Sequence, residues 1–350
     1  MKILSLTHSY AGNGAAIMLL AVLKHWAGHL GWQIDALVGR GSEWAVGLEE
    51  LGIHPINECR NGAYDLVLIN TVLDTGYLDQ IKGAVPTLLW VHEGAATIAE
   101  TKWTAAEWQQ RLSLASRIIF QTRWQVEEVF KEFLCGVDPS RIAIVPNGLP
   151  PIPPGELGSA AKAADKKRIA FVGGLCARKR PQDLARAVRA IGRPDIECVF
   201  VGPTHEMATL GERNIALLKS DPTAIRLIGR RSRIEALEYL KSADVYCLPS
   251  SDESYCVANL EAGLLGVPCV LSDLPPYRGI WTHEENCLLH KAGDIDGLTR
   301  NIARLIDDPR LSQELVANAR ALAQRHDIGT FLAEFTRHAL EARSTSKPSG

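Results

Sequence analysis

Two glutamates eight positions apart give the segment 249–263 the clearest potential for chemistry in this sequence. In one continuous helix, Glu253 and Glu261 would lie about 80° apart around the axis and would not converge on one ligand. The preceding Pro249-Ser250-Ser251-Asp252 is instead typical of a loop that follows a strand. We therefore expect Glu253 in the loop and Glu261 a turn or so into the next helix, with both carboxylates aimed past the helix N-terminus.

A helix N-terminus in this position would favour a phosphate, because it presents free N–H groups and the positive end of the helix dipole. Carboxylates accept hydrogen bonds from hydroxyl groups. The two glutamates thus suit a ligand with two diols and a phosphate between them, and a nucleotide sugar is such a ligand. Two solvated charges on a helix are the ordinary alternative, and the spacing alone does not separate the two interpretations.

A basic cluster provides a second candidate site. Gly173-Gly174 follows a predicted strand, Arg178, Lys179 and Arg180 come next, and Pro181 suits the first position of a helix. Cations at such a junction can neutralise a diphosphate. A solvated basic run is the common alternative, but the position directly after a strand favours an anion site.

The first glycine-rich loop, Gly12-Asn13-Gly14, follows the first predicted strand and opens a helix. It satisfies only half of the G-x-G-x-x-G pattern, because Ile17 occupies the third small position. The second strand leads to Arg40 without an acidic residue for a ribose, so the pattern is weak evidence for a dinucleotide.

Two further features are a single histidine and a short acidic motif. His92 ends a predicted strand, and the carboxyl end of a parallel strand is where α/β proteins place their ligands, which favours a functional role. Asp294-Ile295-Asp296 matches the D-x-D pattern of metal-dependent transferases. It precedes a helix start, however, so we expect a helix cap there and no metal.

The elements that must position these residues alternate between apolar strands and amphipathic helices, and this alternation occurs twice around a Pro-rich stretch. We expect an α/β protein of two Rossmann-like, doubly wound domains that face a cleft. The predicted parts are a first domain (1–148), a linker (149–167), a second domain (168–325), a helix that packs back on the first domain (326–343) and a disordered tail (344–350).

Composition narrows the class of protein. The chain has 350 residues, 46% of them hydrophobic, and a net charge of −2, which excludes wholesale disorder and gives no basic field for nucleic acid. No apolar run approaches the roughly 20 residues of a membrane helix. The eight cysteines contain no C-x-x-C pair, so we expect neither a zinc site nor a disulfide framework, and a cytoplasmic location.

The segment from Glu253 to Glu261 resembles the E-x7-E element of glycosyltransferase family 4, a large retaining family with the GT-B fold. Further segments are similar to the same family: 243–250, 261–270, 286–289, 292–294, 316–320 and, at the end of the first domain, 145–148. The resemblance covers nearly the whole chain and is strongest in the second domain.

The resemblance implies a retaining, metal-independent hexosyltransferase that moves a sugar from a nucleotide diphosphate donor to a hydroxyl of a carbohydrate or lipid-linked acceptor, in cell-surface glycan or glycolipid synthesis, without a cofactor. Its catalytic residues would be His92, Lys179 and Glu253. The donor-binding residues that it implies are Gly12, Asn13, Gly14, Gly174, Arg178, Lys179, Gly229, Arg230, Glu253, Ser254, Tyr255, Cys256, Val257 and Glu261.

The sequence departs from the family at Gly174, where many members have an arginine, and Arg178 is a candidate to supply that charge. No nucleophile is evident, so retention would follow a front-face mechanism in which the leaving diphosphate helps deprotonate the acceptor. Two alternatives stay open: a GT-B nucleotide-sugar epimerase, and an NADP-dependent oxidoreductase that uses Gly12, Gly14 and Arg40. Peripheral membrane contact also stays open.

Overall fold

The computed structural model describes residues 1–7, 14–38, 47–59, 64–80, 85–152, 155 and 157–344. The chain divides into two compact units, one of Met1–Pro150 with Ile328–Gly350 and one of Pro151–Asp327. The predicted tail from 345 onward, Gly12, Asn13 and Arg40 all lie outside the described residues.

The first unit is built on a seven-stranded parallel sheet of order β3-β2-β1-β4-β5-β6-β7. Its strands are β1 (Lys2–Leu6), β2 (Gln33–Leu37), β3 (Ile53–Ile56), β4 (Leu66–Ile69), β5 (Thr87–Val91), β6 (Arg117–Phe120) and β7 (Ile142–Ile144), and its first helices are α1 (Gly14–Gly28), α2 (Ala95–Glu100) and α3 (Ala105–Ser113). The sequence did not predict β3, because Pro55 interrupts its apolar pattern; as an edge strand, β3 tolerates the proline.

The second unit contains a six-stranded parallel sheet of order β10-β9-β8-β11-β12-β13. Its strands are β8 (Lys167–Val172), β9 (Ile196–Val201), β10 (Ile225–Gly229), β11 (Val245–Leu248), β12 (Cys269–Ser272) and β13 (Leu288–His290), and its helices are α4 (Pro181–Ile191), α5 (Glu212–Lys219), α6 (Arg233–Lys241), α7 (Val257–Leu265), α8 (Ile295–Asp307) and α9 (Pro309–Arg325).

The last helix, α10 (Ile328–Ser344), belongs to the first unit. Phe331 and Phe335 on this helix pack against Trp90 of β5, with ring centroids 5.6 and 4.5 Å apart. Trp26 of α1 donates a hydrogen bond of 2.8 Å to Thr336. The fully buried Trp90 and Trp26 therefore serve as core residues that fasten α10 to the sheet.

The second half of the predicted linker packs on the second unit. Arg168, fully buried at the start of β8, donates hydrogen bonds to the carbonyl groups of Ala160 (3.1 Å) and Ala161 (2.6 Å) and pairs with Glu197 at 2.7 Å. A buried guanidinium needs such acceptors, because an unpaired buried charge is strongly destabilising. These contacts fix residues that the sequence analysis assigned to a linker.

The order of the second sheet explains which loops meet. Strand β8 lies next to β11, and all strands run parallel. The carboxyl ends of these two neighbours therefore adjoin, and the loops that follow them carry Lys179 and Glu253.

No helix in the described part of the chain is both long and apolar enough to cross a membrane.

Candidate functional site

The loops after β8 and β11 form a buried cluster of charged groups. Lys179 Nζ lies 2.7 Å from Glu253 Oε1, and Arg178 Nη1 lies 3.1 Å from Glu253 Oε2. Ser250 donates a hydrogen bond of 2.8 Å to the same Oε1. We call Arg178, Lys179, Ser250 and Glu253 the cation–carboxylate cluster. It brings together the two motifs that the sequence placed 74 positions apart.

The cluster keeps its three ionisable groups charged at neutral pH. Burial raises the pKa of Glu253, but Lys179 and Arg178 outweigh burial and lower it to about 2. Burial lowers the pKa of Lys179, yet the adjacent Glu253 leaves that pKa above its ordinary value. Two cations against one carboxylate leave a net charge of +1, which favours an additional anion.

Backbone contacts hold the two loops together. The Ser251 N–H donates a hydrogen bond of 2.8 Å to the Arg178 carbonyl, and Arg178 Nη1 donates one of 2.8 Å to the Asp252 carbonyl. Arg180, the N-cap of α4, has a φ of 49°, in the left-handed region. This turn ends the basic run at the start of the helix, as Pro181 predicts.

Glycines let the lysine lie across the turn after β8. Gly173 has a φ of 149°, and a Cβ there would lie 3.2 Å from Cδ of Lys179. At Gly202 a Cβ would lie 2.0 Å from the Gly173 carbonyl oxygen, so β8 and β9 end in backbone contact. At Gly174, in contrast, the nearest atom to a Cβ is Pro203 Cγ at 3.8 Å. A Cβ is therefore sterically allowed at Gly174.

The N-terminus of α7 follows directly after Glu253. Cys256 is its N-cap with a φ of 63°, and no side chain of a described residue caps the helix there. The Asn259 N–H donates to the Cys256 carbonyl over 3.3 Å, so the N–H groups available to an anion are the first two of the helix, those of Val257 and Ala258. Burial raises the pKa of the Cys256 thiol to about 11, so the thiol is neutral and unsuited to act as a nucleophile.

The neighbouring loop residues are held by packing. Tyr255 is buried, and its hydroxyl lies 2.7 Å from His326 Nδ1, just before the chain returns to the first unit. Ser254 is half-buried. At the end of β10, Gly229 has a φ of 76° and Arg230 is exposed. These positions flank the cluster in sequence or topology, and the contact with His326 fixes the orientation of the Tyr255 side chain.

Glu261 lies in the second turn of α7 and contacts a residue that the sequence analysis did not select. Arg233, the first residue of α6, lies 2.8 Å from Glu261 Oε1 through Nη2. Burial raises the pKa of Glu261, and Arg233 opposes that increase. In the sequence, Arg233 is the last arginine of the basic run Arg230-Arg231-Ser232-Arg233. Its partner Glu261 lies 28 positions away, so the ion pair could not be identified from the sequence.

His92, in the first unit, is held between two amide side chains at the ends of β4 and β6. Its Nε2 lies 3.0 Å from Asn70 Oδ1, and its Nδ1 faces Gln121 Nε2. The His92 N–H also donates to the Glu93 carboxylate at 2.9 Å. The ring is therefore fixed in orientation.

Of the first glycine-rich loop, only Gly14 is described, and it begins α1.

Asp294 acts as a helix cap. Its side chain accepts a hydrogen bond of 2.9 Å from the Gly297 N–H at the start of α8. Within the described ranges, no group of three or more His, Cys, Asp or Glu side chains is placed to hold a metal ion. The predicted helix cap at Asp294 is present.

Comparison with known proteins finds a family match within the second unit. Residues 157–322 match the model of the family described as "Glycosyl transferases group 1". A UDP-Gal:alpha-D-GlcNAc-diphosphoundecaprenol alpha-1,3-galactosyltransferase of Escherichia coli is 30% identical over 188 residues, 50% of this chain and 48% of that protein. A D-inositol 3-phosphate glycosyltransferase of Mycobacterium sp. (strain KMS) is 28% identical over 229 residues, 60% of this chain and 51% of that protein. The chain thus spans about half the length of these relatives.

Solved structures share the fold over nearly the whole chain. The crystal structure of Anabaena Alr3699/HepE in complex with UDP and glucose has a TM-score of 0.78 at 18% identity, covering 96% of this chain and 98% of that one. Sucrose-phosphate synthase from Thermosynechococcus elongatus has a TM-score of 0.76 at 17% identity, covering 99% of each chain. The predicted α/β GT-B fold is confirmed.

Proposed function

Because residues 157–322 match the group 1 glycosyltransferases, we propose that this protein transfers a sugar from a nucleoside diphosphate donor to a hydroxyl acceptor. The observation that carries the proposal is the cation–carboxylate cluster, which lies immediately before the N-terminus of α7. A net positive cluster beside free helix N–H groups suits a diphosphate that bears a sugar on one side and a ribose on the other.

In the proposed reaction, Lys179 and Arg178 stabilise the negative charge that develops on the diphosphate as the glycosidic bond breaks. The N–H groups at the start of α7 add to this stabilisation. Because these groups are held in place before the reaction, they do not have to reorganise in the transition state. We propose retention by a front-face mechanism, with protein cations in place of a metal and with no cofactor.

The two glutamates have separate proposed roles. Glu253 aligns Lys179 and Arg178 and faces the hydroxyl groups of the donor sugar, whereas Glu261 accepts hydrogen bonds from the ribose. Gly229, Arg230, Ser254, Tyr255, Cys256 and Val257 would line the nucleotide around them, together with Gly12, Asn13, Gly14 and Gly174. This division is the one that the resemblance to family 4 implies, and it is compatible with the positions of the two residues: Glu253 precedes α7, and Glu261 lies one turn inside it.

The acceptor side is proposed to involve His92 of the first unit, with one of its hydrogen bonds to Asn70 or Gln121 exchanged for a sugar hydroxyl. The E. coli relative is named for transfer from UDP-Gal to a diphosphoundecaprenol-linked sugar. We therefore propose a carbohydrate or lipid-linked acceptor, a role in cell-surface glycan or glycolipid synthesis, a cytoplasmic location and peripheral contact with a membrane. Uridine is the first donor base to examine, because a similar structure binds UDP.

Thermal unfolding with separate ligands tests the donor site. UDP, GDP, ADP, TDP and NADPH would each be added to the wild type, to Lys179→Met and to the matched control Lys219→Met, whose side chain is exposed. One nucleoside diphosphate at about 100 times its dissociation constant should stabilise the wild type and the control by roughly 2.7 kcal/mol. Lys179→Met should lose most of that stabilisation.

Other outcomes separate the alternatives. Stabilisation by NADPH alone would contradict the proposal and favour the oxidoreductase. A nucleotide sugar that changes into its epimer without any acceptor, followed by NMR, would favour the epimerase. Gly174→Arg provides a further check, because a Cβ at this position meets no close contact: if Arg178 does not supply the charge at this position, the added arginine should tighten binding of the diphosphate.

A further inference from the structure

The Arg233 guanidinium donates two hydrogen bonds to one carboxylate oxygen of Glu261. Its Nε and Nη2 both donate to Oε1, over 3.0 and 2.8 Å, and its Nη1 donates to the Pro151 carbonyl oxygen over 3.1 Å. The planar guanidinium presents its donors in a rigid fork, so three simultaneous hydrogen bonds fix the plane of the group. Arg233 thus connects Glu261 to the first residue of the second unit.

The start of α6 holds the arginine in place. Ser232 is the N-cap: its hydroxyl accepts a hydrogen bond from the Glu235 N–H, and the Glu235 carboxylate accepts one from the Ser232 N–H. This capping box sets the direction of the first turn. Arg233 therefore leaves the helix at a defined angle, toward α7 rather than into solvent.

The second oxygen of Glu261 has no hydrogen-bond partner among the described residues, although the residue is only 8% exposed. A carboxylate with one oxygen bonded twice and the other unbonded is oriented but incomplete as an acceptor. The adjacent N-terminus of α7 suits the diphosphate of the same ligand. The unbonded Oε2 is thus placed to accept from hydroxyl groups on the nucleoside side of that diphosphate.

We propose that Arg233 is a positioning residue that turns Glu261 so that Oε2 accepts hydrogen bonds from the 2′- and 3′-hydroxyls of the donor ribose. The inference rests on the proposed function. Arg233 does not itself touch the nucleotide in this arrangement; it acts through Glu261. A purely structural role, in which Arg233 only fastens Pro151 to α6, makes a different prediction, because its loss would then affect all nucleotides equally.

Calorimetric titration with matched nucleotides separates the two roles. The probes are UDP, GDP and ADP, each paired with its 2′,3′-dideoxy counterpart. The proteins are the wild type, Arg233→Ala, Arg233→Lys, Glu261→Gln, the double variant Arg233→Ala/Glu261→Gln, and the control Arg231→Ala. Arg231 is exposed, and its guanidinium donates to the Arg230 carbonyl, in the same loop. Circular dichroism checks that each variant is folded.

For the nucleotide that the wild type binds, Arg233→Ala should weaken binding of the ribose form by about 10- to 100-fold, as expected for loss of hydrogen bonds to a charged group. Binding of the dideoxy form should change less than about threefold, within the scatter of such contacts. Arg233→Lys should recover only part of the loss, because lysine lacks the fork. The double variant should bind no more weakly than Glu261→Gln.

Equal weakening of the ribose and dideoxy forms would overturn the proposal in favour of a structural role. Unchanged binding of both forms would overturn it as well. A wild type that binds neither these three diphosphates nor TDP would contradict the proposed function itself, and the positioning role with it, whereas a wild type that binds TDP alone would overturn only the positioning role, because the deoxyribose of TDP lacks the 2′-hydroxyl. That failure is recognisable because it occurs before any substitution is made.

Discussion

Replacement of Glu253 by glutamine provides the sharpest test of the cation–carboxylate cluster, because it removes the charge and keeps the shape. The pKa of Glu253 falls from 4.5 to about 2 in the folded protein. At about 1.4 kcal/mol per pKa unit, this difference corresponds to roughly 3 kcal/mol of stability at neutral pH. Loss of one partner from a buried ion pair costs a similar amount, about 3–5 kcal/mol, because the remaining charges are left buried.

The pH dependence follows from the sign of the shift. The pKa of Glu253 is lower in the folded state than in the unfolded state. Its contribution to the stability of the protein is therefore complete above the unfolded pKa of 4.5, and it is lost as the pH falls toward the folded pKa of about 2. The difference between wild type and Glu253→Gln should therefore be about 3 kcal/mol at pH 7 and less than half of that at pH 3.

Urea denaturation followed by circular dichroism measures this difference. Glu285→Gln is the matched control, since Glu285 is exposed and in the same unit, and it should change stability by less than about 0.5 kcal/mol. Equal stability of the wild type and Glu253→Gln at pH 7 would refute the reasoning, as would a difference that stays constant down to pH 3.

Glu253→Gln should be stabilised more strongly by a bound ligand than the wild type is, an effect that few substitutions produce. Because the diphosphate would neutralise the cations that glutamine leaves unpaired, a bound nucleoside diphosphate should stabilise the variant more than the wild type. Turnover should nevertheless be largely lost, because the cations and the sugar are no longer aligned. A variant that keeps the wild-type turnover rate would contradict the role proposed for Glu253.

Two further predictions concern the framework of the second unit. Gly202→Ala should severely destabilise the protein or prevent folding, because its Cβ would lie 2.0 Å from the Gly173 carbonyl oxygen, whereas Gly174→Ala should be tolerated; thermal unfolding of the two variants decides. Asp294→Ala should cost about 1 kcal/mol through loss of the α8 cap, and Asp296→Ala clearly less, in urea denaturation. If both aspartates matter equally, and only in the presence of a divalent cation, the D-x-D pattern is a metal site after all.

Much of the architecture could be predicted from local sequence. The strands expected before Gly173-Gly174 and at His92 are β8 and β5, and the helix expected at Pro181 begins there. Apolar runs, prolines and capping residues act over a few positions, so the sequence expresses them directly. Edge strand β3 was missed because its proline contradicts the local pattern, and only pairing with β2 makes it a strand.

The candidate site shows where local information ends. Glu253 and Lys179 were each recognisable by motif, yet their ion pair exists because β8 and β11 are neighbours in the sheet.

The amino-acid sequence by itself determined the alternation of strands and helices, the family that the second unit resembles and the charged motifs that follow its strands. Only the tertiary structure decided the partners: Arg233 for Glu261, and the two amides that hold His92. The physical reason is that hydrogen bonds and ion pairs require side-chain atoms within about 3 Å. Sequence spacing fixes such distances only inside a helix turn or a loop, whereas strand order and helix packing set them across the fold.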